Sequence, residues 1–85
     1  MMEKKPIGKV THFFTHISVA VIELSDVLNV GDTVSFEGAS TNFQQKIDSI
    51  QIEKQPIQSA KKGQAIGLKT SDRVREGDIV YKIIE

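Results

Sequence analysis

The sequence predicts an all-β domain of six strands, mostly antiparallel, rolled into a closed barrel. Three observations predict it. Ile and Val alternate with polar residues over short runs, the pattern of strands with one buried face. Gly-led polar corners interrupt these runs about every ten residues. No stretch carries an apolar stripe at helical spacing long enough to build a helical layer. In an 85-residue chain, closure into a barrel also leaves no strand edge exposed.

The elements read in order as follows. Residues 1–5 form a flexible lead-in, and the single barrel domain occupies 6–85. The first strand covers 7–14 and the second 17–24, joined by a hairpin. Residues 25–28 can close one helical turn, with Ser25 or Asp26 as its cap. The third strand is 33–37 and the fourth is one continuous run, 44–53. A second short helical turn is placed at 56–62. The fifth strand covers 64–69 and the sixth 78–84.

One corner is written three times. Leu28, Gly31, Asp32 and Val34 recur at the same spacing as Val74, Gly77, Asp78 and Val80. Ala60, Gly63, Gln64 and Ile66 form a looser copy. Such a corner needs Gly for a positive φ and a short polar side chain to accept from nearby backbone N–H groups. The Val or Ile then starts the next strand. Gly67 is read with these residues as a further turn position.

Eleven basic and eleven acidic residues cancel. Up to Phe43 there are three bases against five acids, and after it eight against six. A phosphate-binding protein depends on a basic footprint, so this balance permits a local basic patch without announcing one. With no cysteine there is no disulfide and no thiolate chemistry, in keeping with a reducing cytosol. Residues 1–6 lack the apolar stretch of a signal peptide, and the longest apolar run, 19–22, is far too short to span a bilayer. A soluble, cytoplasmic protein with no membrane contact is expected.

Four stretches taken together carry a resemblance: 29–34, 47–52, 59–68 and 74–80, in this order and at these gaps. They resemble the β-barrel that follows the GTPase domain in elongation factor Tu and its relatives. The stretch 36–43 looks more like small stand-alone elongation-factor-like proteins, and is also similar to the C-terminal barrel of collagenase-like peptidases. The resemblance implies a Greek-key barrel of the translation-protein type, covering roughly residues 6–84. It also implies docking on a GTPase and contact with the aminoacylated end of tRNA. That family's tRNA pocket uses a Glu and an Arg from one strand. Gln51 stands at the place of the Glu and Lys54 at that of the Arg. Gln keeps an acceptor without the charge, and Lys lacks the planar fork, so both positions depart from the pattern. The hairpin at 13–17 lacks the family's glycine.

Other motifs are weaker. Gly63 to Thr70 imitates a phosphate-binding loop, but Leu68 separates Gly67 from Lys69 and no helix follows, so no nucleotide is expected. His12 and His16 are four apart, a metal-ligand spacing on a helix but not on a hairpin, and no metal or other cofactor is expected. Phe13 and Phe14 fit hairpin packing, one on each face of a strand, with core as the default; an exposed one could stack on a base or plug a partner's pocket. No nucleophile turn is recognisable, so no enzymatic activity is expected. The leading expectation is a binding module docking on tRNA or ribosomal RNA, or on a translation-related protein. Lys54, Lys61, Lys62, Arg73 and Arg75, with Gln51, would make the contacts if the fold gathers them at one end. The alternative is an accessory barrel docking on a separately encoded GTPase or peptidase-like enzyme, without RNA.

Overall fold

The three repeated corners fold alike. Gly31, Gly63 and Gly77 have φ of 99°, 89° and 92°, and a Cβ at any of them would meet nothing within 4 Å. Backbone conformation, not crowding, therefore requires glycine there. In each corner the residue after Gly turns its side chain back. Asp32 accepts from the Asn29 N–H at 2.9 Å, Asp78 from Arg75 at 2.8 Å, and Gln64 from Lys61 at 2.7 Å. The main chain closes the same turns, with N–H groups of Asp32, Asp78 and Gln64 donating to the carbonyls of Asn29, Arg75 and Lys61.

The computed structural model describes residues 3–84. Its elements are β1 (Glu3–Phe14), β2 (Val19–Leu24), β3 (Leu28–Asn29), β4 (Thr33–Glu37), β5 (Asn42–Lys46), β6 (Ile50–Ile52), β7 (Gln55–Ile57), β8 (Ser59–Ala60), β9 (Ala65–Lys69) and β10 (Ile79–Ile84). The described residues contain no helix. The expected helical turn at 25–28 is a bend leading into β3, and that at 56–62 is the β7–β8 segment. β3 and β8 pair as a separate two-stranded sheet, Leu28 opposite Ala60. β1 starts at Glu3, with Glu3, Lys4 and Lys5 laddered to Ile84, Ile83 and Lys82, so the expected lead-in belongs to the sheet from residue 3.

The other eight strands form one antiparallel sheet in the order β5-β4-β10-β1-β2-β9-β6-β7. It is open, and this corrects the expected closed barrel. The cause lies in the run 44–53, which is two strands rather than one. Ile47 is fully buried, donates its N–H to the Asp32 carbonyl, and accepts at its own carbonyl from the Gly31 N–H, both at 2.8 Å. Pinned to that corner, the chain bends. Its first half, β5, pairs with β4 at one edge, and its second half, β6, pairs with β9 and β7 near the other.

No backbone ladder joins β5 to β9 across the seam. A side chain bridges it instead. The Gln45 amide donates to the Lys69 carbonyl at 3.0 Å and accepts from the Ser71 N–H at 2.8 Å. At the far edge, Pro56 sits in β7, where a strand residue without an N–H is tolerated.

The core lies inside the curl. Alternation buries Ala20, Ile22 and Leu24 of β2, Ile66 and Leu68 of β9, Val34 and Phe36 of β4, and Val80 of β10. In β1 the register shifts between Pro6 and Gly8 against β10, and between Val10 and His12 against β2. These bulges let Ile7 and Val10, three apart, both face inward. Leu28, Ile47, Ile50, Ala60 and Val74 complete the core. Burying one such Ile or Leu side chain is worth about 1.5–3 kcal/mol.

Candidate functional site

The outer face of β9 carries no large side chain at its centre. Gly67 pairs with Val21 on one side and Gln51 on the other. Gly67 is thus a mid-strand residue and not the expected turn. A Cβ there would sit 3.5 Å from Val19 Cγ1 and 3.8 Å from the Gln51 carbonyl, ordinary van der Waals contact. Its bare backbone, with the small Ala65 two residues earlier, leaves a trough between β2 and the β6–β7 hairpin.

Two hairpin tips wall the apolar end of this trough, a groove of about 480 Å³. On one side stand Phe14 and Ile17, at 46% and 60% exposure the two large hydrophobic residues most open to solvent among the described residues. The His12 ring meets Phe14 edge-on, with centroids 4.4 Å apart. On the other side stand Glu53 and Lys54, the two residues of the turn joining Ile52 to Gln55. Beyond Gly67 the depression continues between Ser49 and Lys69, and opens at the seam beside Gln45, Asp48 and Ser71. These depressions adjoin through Val19, Gln51 and Gly67 and then through Ser49 and Lys69.

Backbone strain concentrates at the apolar end of the trough. The described non-glycine residues with positive φ are Ser18 at 54°, Glu53 at 51° and Lys54 at 67°. Ser18 lies between Ile17 and Val19 at one wall. The Thr70 N–H and hydroxyl hold its carbonyl at 2.8 and 3.4 Å. Glu53 and Lys54 occupy a two-residue hairpin turn of the kind that ordinarily takes Asn-Gly. Left-handed residues other than Gly cost about 1–2 kcal/mol each, and such strain gathers at working surfaces.

Among the described residues, the charges along the trough enter no ion pair. Ion pairs among the described residues join Lys4 to Glu37, Lys5 to Asp26 and Lys82 to Asp32, all away from it. Glu53, Lys54, Lys69 and Asp48 take no part in them. Hydrogen bonds from Lys4 and then Ser35 hold the Glu37 carboxyl below its ordinary range, and those from Lys5 and then the Val27 N–H do the same for Asp26.

The expected basic patch is not assembled. Lys61 and Lys62 lie in the corner bonded to Leu24, where the Gly63 N–H meets the Leu24 carbonyl. Arg73 and Arg75 lie past the other end of β9, beside Phe13 and Thr15. Register explains the separation, because Ala65 faces Glu23 and Lys69 faces Val19 at opposite ends of the β2–β9 ladder. Of the expected contact residues, Gln51 and Lys54 share the trough, while Arg73 and Arg75 share a separate depression beside Phe13 and Thr15. His12 and His16 belong to no cluster of three or more candidate metal ligands among the described residues. No helix there is long and apolar enough to cross a membrane.

Sequence reasoning takes Phe14 as core by default and does not single out Ile17, Val19 and Val21 as surface residues. The signal was the run 19–22, apolar on both faces of one strand. Inward Ala20 and Ile22 fill the core, so Val19 and Val21 face outward.

No family model matches the chain. It is 41% identical over 83 residues to an uncharacterized protease of Methanocaldococcus jannaschii, covering 96% of this chain and 20% of that protein. It is 33% identical over 82 residues to a collagenase of Porphyromonas gingivalis, covering 94% of this chain and 23% of that protein. The chain therefore spans about a fifth of the length of these relatives. Its fold matches that of the C-terminal domain of a Geobacillus thermoleovorans protein assigned to the U32 peptidases. The TM-score is 0.86, with 22% identity, over 92% of this chain and 91% of that one. The selenomethionine form of that domain superposes with a TM-score of 0.85. These matches overturn the translation-factor reading. The proteins that this chain resembles along nearly its whole length are a protease and collagenases, and its fold is that of a U32 peptidase C-terminal domain.

Proposed function

We propose that this chain is a non-catalytic accessory domain of the collagenase and U32 peptidase kind. It works beside a catalytic segment that it does not itself contain. The observation that carries the reading is the lopsided match, in which nearly all of this chain corresponds to about a fifth of a protease or collagenase. The other four-fifths of those proteins have no counterpart here. Side-chain hydrogen bonds of Asp32, Gln64 and Asp78 serve the corners, and those of Gln45 serve the seam.

Association with the missing part tests the reading. The P. gingivalis collagenase with its matching segment removed is mixed with this chain and run on a sizing column. The reading predicts co-elution, and no cleavage of gelatin by this chain alone. Separate elution, or gelatin cleavage by the chain alone, would contradict it.

A further inference from the structure

We propose that the seam between β5 and β9 receives one extended strand donated by the catalytic part, laddered to the free edge of β5. Two hydrogen bonds show which main-chain groups of β5 are free. The Gly38 N–H donates to the Thr41 carbonyl and the Ile47 N–H to the Asp32 carbonyl, both at 2.8 Å. Counted in twos between these bonds, Phe43 and Gln45 turn their peptide groups toward β4, opposite Phe36 and Val34. Asn42, Gln44 and Lys46 therefore turn theirs away from β4, and β5 is an outermost strand of the sheet. All three residues are exposed, and no hydrogen bond among the described residues takes these groups.

The other edge is closed to such pairing. The two-residue turn makes Ile52 and Gln55 a bonded pair, so the residue of β7 that faces outward is Pro56, which has no N–H to give. Two residues on, the Gln58 carbonyl already accepts from the Val30 N–H at 2.9 Å. At the seam, by contrast, β9 supplies a second open side. The Lys69 carbonyl and the Ser71 N–H just beyond it are held by the Gln45 side-chain amide alone, at 3.0 and 2.8 Å. A carboxamide carries the donor and the acceptor of a peptide group, so Gln45 stands in for one peptide unit of a missing strand. A strand seated in the seam ladders to Asn42, Gln44 and Lys46 on one side, and on the other takes over the two groups that Gln45 holds.

That two-sided demand selects the occupant. A second copy of this chain cannot meet it, because its own β5 is already laddered to its β4 and has one side left to give. A single extended segment can, with main-chain bonds giving affinity and alternate side chains giving selectivity. Its residue opposite Phe43 is apolar, since that pair is the closely spaced, unbonded kind and the half-buried Phe43 ring stacks on Phe36 at 5.0 Å between centroids. The source of the segment follows from the small number of bonds. They hold a free peptide weakly, and suffice for a segment kept nearby by a shared polypeptide. The relatives carry the matching fifth and the remainder in one protein. For this source the proposal rests on the accessory-domain reading.

Hydrogen exchange tests it in the whole 85-residue chain, ¹⁵N-labelled, alone and with an excess of the P. gingivalis collagenase lacking its matching segment. Alone, the Asn42, Gln44 and Lys46 amides should exchange as open groups, and with the collagenase they should slow about tenfold or more. Gln44→Pro removes one outward N–H without touching the ladder to β4, and should weaken association about tenfold. Gln44→Ala changes only the side chain and should associate like the natural sequence. If Gln44→Pro does not fold, exchange in the natural sequence still decides. Co-elution without slowing at the three amides, or equal association by a folded Gln44→Pro, would overturn the proposal and leave the accessory reading standing. Slowing that grows with the concentration of this chain alone would assign the edge to a second copy, and slowing by unfolded gelatin but not by the collagenase would assign it to substrate. Either result overturns the proposal. Neither co-elution nor slowing would overturn the proposal and the accessory reading together.

Discussion

At the level of single residues, glycine does two opposite things here. Gly77 is required by its φ of 92° in open space, whereas Gly67 has ordinary strand geometry and room for a methyl group. Gly77→Ala should therefore cost about 1–2 kcal/mol. Gly67→Ala should be neutral, or stabilising by up to about 1 kcal/mol, through the less flexible unfolded chain. Urea unfolding of the two variants checks this, and equal effects would refute it. A second residue-level prediction concerns acid. Lys4 Nζ lies 2.6 and 2.9 Å from the two Glu37 carboxylate oxygens, and the Ser35 hydroxyl donates at 2.9 Å, which lowers the Glu37 pKa. A carboxylate depressed in the folded state adds stability above its ordinary titration range, and that contribution is lost as pH falls through the lower folded value. Melting temperature should thus fall less steeply with acid in Glu37→Gln than in the natural sequence. Parallel curves would contradict this. The corners were legible in the sequence because their chemistry is local: Gly for φ, then a side chain three residues from its N–H partner.

At the level of elements, the strands with one buried face were legible from alternation, and the split of 44–53 was not. The step of three from Ile47 to Ile50 breaks the alternation, a weak local mark of the bend that a reading as one run passes over. The bend is imposed by the bonds of Ile47 to Gly31 and Asp32, which lie fifteen or more positions earlier in the chain. The trough was illegible for the same reason, since it exists only once the ladder registers Gly67 against both Val21 and Gln51. Ser18, Glu53 and Lys54 break local rules at its walls, and local rules cannot foresee where they are broken. The seam gives this scale its prediction. The Gln45 amide makes two hydrogen bonds that stand in for a missing ladder. Gln45→Ala should cost about 1–2 kcal/mol at such a partly exposed site, and should speed hydrogen exchange at the Ser71 amide above the global rate. Unchanged exchange at Ser71 would show that the clasp does not hold the seam.

At the level of the whole molecule, the charges of the chain cancel and the expected contact bases are parted, Lys61 and Lys62 at one end of β9 and Arg73 and Arg75 past the other. The accessory-domain proposal takes the chain instead as one part of a larger protein, on the one-fifth match to a protease and a collagenase. Gene replacement measures this most directly. In the P. gingivalis collagenase, the matching segment is deleted in one version and replaced by this chain in another, and gelatin cleavage is compared with the intact enzyme. The account predicts that deletion impairs cleavage and that this chain restores it. A deleted enzyme that cleaves as well as the intact one would contradict it, as would a replacement no better than the deletion.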